Sequence, residues 1–253
     1  MKLKMIVVLA ATIVVALTAC KGVRTTGPEP LPFPNVMLPR NFKNADPSPT
    51  LDKSAVVLSL LDATHIWVGP NEFSDDNAFD VIENRVNRAQ QKVVYLRAAD
   101  RLDYLTVVKA IDTARKAGAL EFALQVYPGA TGPARQFTIE VLPRPSDEDT
   151  LVEKKDPALI GVILSADSKI SLARGGLQDG PVGPGRTKED MGMCSDTSRL
   201  AQALTQTLAD RTDRKVTIKA FLTTPYDHVV SIIDAVKGAG AHPIVLQIDD
   251  LPR

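Results

Sequence analysis

The chain has 253 residues, with 30 Lys and Arg, 30 Asp and Glu and three His, so its formal net charge is zero. That balance excludes a nucleic-acid partner, because neutralising a phosphate backbone takes a clustered excess of Lys and Arg. The length suits one large domain or two small ones.

Residues 1–19 begin Met1, Lys2, Leu3, Lys4 and continue as an apolar run over 5–19, broken only by Thr12 and Thr18. A basic start and an apolar stretch of about fifteen residues make a secretory leader, and fall short of the roughly 20 residues that span a bilayer. Leu17, Thr18, Ala19 and Cys20 resemble the lipobox of bacterial lipoproteins. The resemblance implies cleavage before Cys20, with lipid on its thiol; the alternative is an uncleaved anchor helix, against which the run stops at Cys20 and Lys21 follows. Lipidation would anchor the chain stably, since each buried methylene contributes about 0.8 kcal/mol. Lys21, in place of the Asp that retains enterobacterial lipoproteins at the inner membrane, points to the outer membrane and a periplasm-facing protein. Losing Lys2 and Lys4 leaves 28 basic against 30 acidic residues, and lipidation of Cys20 leaves Cys194 without an intramolecular partner.

Residues 20–50 carry Pro28, Pro30, Pro32, Pro34, Pro39, Pro47 and Pro49 and read as a semi-rigid tether. At about 3.1 Å per residue it would reach up to roughly 90 Å from the lipid. A first domain is expected over 51–127. Strands at 55–61 and 65–68 flank Asp62, Ala63 and Thr64; a helix capped at Ser74 turns Phe79, Ile82, Val86 and Ala89 inward. A strand at 93–98 follows, then a helix capped at Asp103 with Tyr104, Val107, Val108, Ile111 and Ala114 on one face, a C-terminal Gly118, and a strand at 122–127. Residues 128–157 read as a linker in which 137–142 alternates like an edge strand. The second domain, 158–253, has strands at 159–165 and 169–173, a helix marked by Leu200, Leu204 and Leu208, and a second helix with Thr224 as cap and Pro225 in its first turn. The predicted class is α+β: two β-β-α-β-α-β units, each a small mixed sheet with two helices on one face.

Residues 92–126 and 214–248 align without a gap at an offset of 122, with twelve identities in 35 positions. Among them are Val94 with Val216, Tyr104 with Tyr226, Asp112 with Asp234, Gly118 with Gly240 and Gln125 with Gln247. A repeated unit of this kind implies a tandem arrangement of one domain.

The first copy resembles the periplasmic domain of the ExbD/TolR family at Arg97, Ala98, Asp100, Tyr104, Val107, Val108, Asp112, Ala114, Ala117 and Gly118. The second keeps Tyr226, Val229, Val230, Asp234, Ala239 and Gly240, with Lys219 and Leu222 in place of the Arg and Asp. The resemblance implies a non-enzymatic component of proton-driven biopolymer transport, with ExbB/TolQ-type or TonB/Pal-type envelope partners, or a scaffold that binds peptidoglycan. The family's transmembrane helix carries an essential Asp, whereas residues 5–19 hold no carboxylate, so this chain is expected to serve as an accessory module without its own proton path. A homodimer, or a pseudo-dimer within one chain, is also implied, with strand edges at Val126 and Ile248 as pairing sites.

No catalytic set, cofactor or metal is expected. His65, His228 and His242 lack ligand spacing. Gly180, Gly185, Arg186 and Thr187 imitate a phosphate loop, but Pro181 and Pro184 remove backbone donors, and 174–195 reads instead as an inserted mobile loop. Tyr104 and Tyr226 either pack on the sheet with wet hydroxyls or contact a partner. Asp112 and Asp234 are placed to pair with Arg115 and Lys237.

Overall fold

Period-two apolar runs rich in Val, Ile and Leu set the strands, and the computed structural model describes residues 33–51, 54–129, 132–143, 160–174 and 191–248. In chain order the N-terminal half has β1 (Asp46–Pro47), β2 (Val56–Leu60), β3 (His65–Val68), β4 (Asn71–Ser74), α1 (Asp75–Arg88), β5 (Val93–Ala98), α2 (Tyr104–Lys116) and β6 (Glu121–Val126). After β7 (Arg135–Pro143), the C-terminal half has β8 (Ile160–Leu164), β9 (Ile170–Arg174), β10 (Met191–Cys194), α3 (Thr197–Leu208), β11 (Val216–Ala220), α4 (Tyr226–Gly238) and β12 (Ile244–Ile248). The α+β class matches expectation. The strands β4 and β10 were not foreseen, so each half runs β-β-β-α-β-α-β. β10 also corrects the reading of 174–195 as a loop, since 191–194 pair with β9.

All these strands join one mixed sheet ordered β10-β9-β8-β11-β12-β7-β6-β5-β2-β3-β4, with β1 paired to β7. The order is symmetric about β7. β6 pairs with β7 antiparallel and β12 pairs with it parallel, so the two halves run in opposite directions on either side. Two separate small sheets were expected, and 137–142 was expected at an edge; instead β7 is the central strand. Its alternation has a different cause. Phe137 and Ile139 are buried on the helix side while Thr138 and Glu140 face water, because this sheet is covered by helices on one face only.

That covered face carries one continuous core. Val56, Leu58 and Leu60 from β2, Leu96 from β5, Phe122 and Leu124 from β6, and their counterparts Val162, Ile218 and Leu246 pack against Ile82, Val107, Ile111, Leu204, Val229 and Ile233 of the helices. Helices α2 and α4 end alike. Gly118 (φ 96°) and Gly240 (φ 87°) take the left-handed conformation a side chain resists. Gly118 N donates to Arg115 O at 2.9 Å and Ala119 N to Ala114 O at 3.0 Å; Gly240 and Ala241 repeat the pattern to Lys237 O and Val236 O at 2.9 and 3.3 Å.

Candidate functional site: the junction of the halves and its strap

The starts of α2 and α4 leave backbone donors that a cap must satisfy. Asp103 and Pro225 stand at the cap positions, and neither side chain accepts a bond. The two loops cap one another instead. Tyr104 N donates to Thr224 O and Tyr226 N to Leu102 O, both at 2.9 Å, and Leu105 N donates to Leu222 O at 2.9 Å. Asp103 and Pro225, equivalent at the 122-residue offset, form an antiparallel bridge. Two equivalent residues facing each other place a local two-fold axis between them. Thr224, expected to cap with its hydroxyl, is fully buried and caps with its carbonyl in the opposite half.

Tyr104 and Tyr226 flank this axis and are 1% and 0% exposed. Of the two placements considered for them, both rings are packed in the core and neither hydroxyl is wet. Burial, then the charge of Tyr104, pushes the Tyr226 phenol well above its ordinary range, so it is neutral at every physiological pH. Tyr226 Oη and Thr224 Oγ1 are buried without hydrogen-bond partners. The tyrosines thus contribute packing across the junction and present nothing to solvent.

The segment 33–48 is bound to the domain rather than free as part of the tether. Val36, Leu38, Phe42 and Ala45 are buried, and the Phe42 ring meets Phe137 edge-on with centroids 6.2 Å apart. Asp100 N donates to Met37 O at 3.0 Å and Tyr127 N to Pro39 O at 2.9 Å. At the far end of this strap, Asn44 N donates to Asp234 Oδ1 at 2.8 Å, Asn44 Nδ2 to Asp234 O at 3.0 Å, and Lys237 pairs with Asp46. The expected Asp112–Arg115 pair forms at 2.7 Å, joined by Lys116 at 2.7 Å. Asp234 and Lys237 hold the strap instead of each other. The difference is legible at one position: Gly238 stands where the first half has Lys116, and a Cβ there would lie 2.6 Å from Asn44 Nδ2. A side chain at this position would force the Asn44 amide away from α4.

The strap starts on the uncovered face of the sheet. Arg97, 4% exposed, holds its guanidinium carbon 4.5 Å from the Phe33 ring centroid, and its Nη1 donates to Pro34 O at 2.8 Å. Burial lowers the Arg97 pKa, opposed by Tyr127 beside it. Gln125 Nε2 donates to Ser48 Oγ at 2.9 Å, and Ser48 Oγ to Gln136 Oε1 at 3.3 Å.

Val126 and Ile248, expected at strand edges, are buried within strands paired on both sides. The outer strands of the sheet are β4 and β10. A glycine–proline turn at Gly69 and Pro70 was the signal that could have found β4; β10 carries none. Cys20, the leader and the Gly180–Thr187 loop lie outside the described residues. Cys194 is buried, and burial first, then Asp196, raises its thiol pKa. His65 lies beside Asp62 at 3.3 Å, and His228 is exposed with Nδ1 3.3 Å from Ser168 Oγ. Among the described residues no three of His, Cys, Asp and Glu come together to hold a metal, and no helix is long and apolar enough to cross a membrane. A cleft of about 280 Å³ at the start of β2 and β5 is lined by neutral side chains such as Thr50, Ser54, Gln91 and Tyr95.

No curated protein and no solved structure matches the chain. The family described as Biopolymer transport protein ExbD/TolR matches residues 131–251. The residue-by-residue likeness was fuller in the N-terminal half, yet this match falls on β7 and the C-terminal half, where Lys219 and Leu222 depart from the first copy. Residues 131–251, the stretch that holds β7 to β12, are thus similar to the ExbD/TolR family.

Proposed function

We propose that the protein is a non-enzymatic, lipid-anchored envelope module serving a biopolymer-transport complex, with two tandem ExbD/TolR-like domains fused as a pseudo-dimer. The family match over 131–251 carries the reading. The shared order of elements in the two halves and the reciprocal caps at Asp103 and Pro225 support the duplication. The sequence ending in Cys20 supports a lipid on that thiol and a periplasm-facing place at the outer membrane. A chain with no carboxylate in its apolar segment relies on another subunit, of ExbB/TolQ or TonB/Pal type, for any proton-driven step.

Docking of the strap changes the reach of such a module. Twelve residues, 21–32, separate Cys20 from Phe33, and a chain of that length extends to at most about 40 Å. The domain works close to its own membrane rather than far across the periplasm.

Two measurements test the reading. Labelled palmitate should enter the wild-type chain and not Cys20→Ser. Crosslinking in living cells should recover a channel-type or TonB/Pal-like protein. Recovery of cell-wall fragments alone would replace the transport reading with a peptidoglycan-binding scaffold.

A further inference from the structure

The start of the strap covers a charge that the fold leaves uncompensated. Arg97 on β5 and Ser59 on β2 are partners in register on the uncovered face, and they are 4% and 0% exposed. The guanidinium meets the Phe33 ring and donates from Nη1 to Pro34 O, a neutral carbonyl, with the Tyr127 phenol beside it. Its Nε has no hydrogen-bond partner, and neither has Ser59 Oγ. Among the described residues no carboxylate pairs with Arg97. Glu72, the acid of the same row, stands three strands away on β4, with Oε1 3.9 Å from His65 Nδ1. A buried cation without an anion and a buried hydroxyl without a partner are each unfavourable, and a folded protein rarely leaves either unmatched. A water molecule would supply hydrogen bonds to both groups but no charge, whereas an anion supplies both.

We propose that Arg97 and Ser59 form a binding site for an aromatic carboxylate, covered here by Phe33–Pro34 and filled when those two residues lift. The ligand's carboxylate takes the place of the Pro34 carbonyl and accepts from the guanidinium and from the Ser59 hydroxyl, while its ring takes the place of the Phe33 ring. One guanidinium balances one negative charge, so a carboxylate is favoured over a dianionic phosphate. The pair is a property of the N-terminal half, because the equivalent register positions of the C-terminal half hold Lys219 and Ile163, and isoleucine brings no hydroxyl. The ligand and the first residues of the strap exclude each other. Filling the site therefore frees the strap at its end nearest Cys20.

This inference stands on the folded N-terminal half and not on the lipid or the transport partners, so its failure leaves the proposed function untouched. Trp67, the one tryptophan of the chain, is partnered in register with Ser59 on the same face and reports on the site. Phenylacetate is titrated into the detergent-solubilised full chain while Trp67 fluorescence is followed. A saturable change is expected, with affinity raised about tenfold in Phe33→Ala, where the strap competes less, and lowered about tenfold or more by Ser59→Ala and by Arg97→Gln. Phenylacetamide, of the same shape without the charge, and inorganic phosphate should give no saturable change. Ser59→Ala removes a hydroxyl that has no partner, so it tests the site even if Arg97→Gln does not fold by circular dichroism. No saturable change with phenylacetate in either the wild type or Phe33→Ala would overturn the proposal. So would phenylacetamide or phosphate binding as tightly as phenylacetate, or phenylacetate binding that Ser59→Ala leaves unchanged.

Discussion

Replacing Phe42 by alanine separates a docked strap from a free tether. The ring is 6% exposed and lies edge-on to Phe137. Truncating a buried Phe removes about 3–5 kcal/mol, of which the aromatic pair accounts for about 0.5–1.5 kcal/mol. The strap is held through the short β1, single backbone bonds at Met37 and Pro39, and two bonds from Asn44 to Asp234 of α4, so it can open while the eleven other strands stay paired. The loss of global stability is then capped by the strap's own docking energy, and the remainder appears as local opening. Lys43 reports that opening, because its side chain is exposed while its carbonyl accepts from Arg135 Nη1 at 3.4 Å. A loss of about 3 kcal/mol raises the open population roughly a hundredfold. Trypsin cleavage after Lys43, measured in the regime where reclosing is fast, should accelerate by a similar factor in Phe42→Ala. Cleavage within about threefold of wild type would refute the strap as a held element of the fold.

Other outcomes follow from single groups. Tyr226→Phe removes a buried hydroxyl that has no partner, so urea melts should show stability unchanged or raised by up to about 1 kcal/mol; a loss above that would mean the hydroxyl is bonded. Gly118→Ala meets no atom within 4 Å but must hold φ at 96°, so it should cost about 1–2 kcal/mol in the same assay, and a neutral result would contradict the left-handed helix end. Asp167 has its pKa lowered from 3.8 to about 2, first by its bond with Lys169 and then by Ser165. A lowered carboxylate contributes stability above its unfolded pKa and loses it as pH falls through the folded one. The small Asp167 contribution should disappear between about pH 4 and pH 2, and Asp167→Asn should flatten that part of the pH profile; an unchanged profile would remove the assignment.

The sequence by itself determined the local elements. Tyr104, Val107, Val108, Ile111 and Ala114 at helical spacing, and Gly118 after them, specify a helix and its end through short-range sterics and periodicity alone. The same holds for the hairpin around Asp62 and for the Asp112–Arg115 pair, which lies one turn apart. Tertiary structure decided what required distant partners. Alternation over 137–142 reports that one side of a strand is wet, a property shared by edge strands and by central strands of a sheet covered on one face, so the place of β7 between β6 and β12 was not legible. Proline content similarly marks an extended segment without saying whether it floats or docks. Here Phe42 finds Phe137 and Asn44 finds Asp234 across 95 and 190 residues. The caps of α2 and α4 show the limit most directly. Asp103 and Thr224 have the right chemistry to cap their own helices, but the two loops lie close enough that backbone carbonyls from the opposite half reach the donors first.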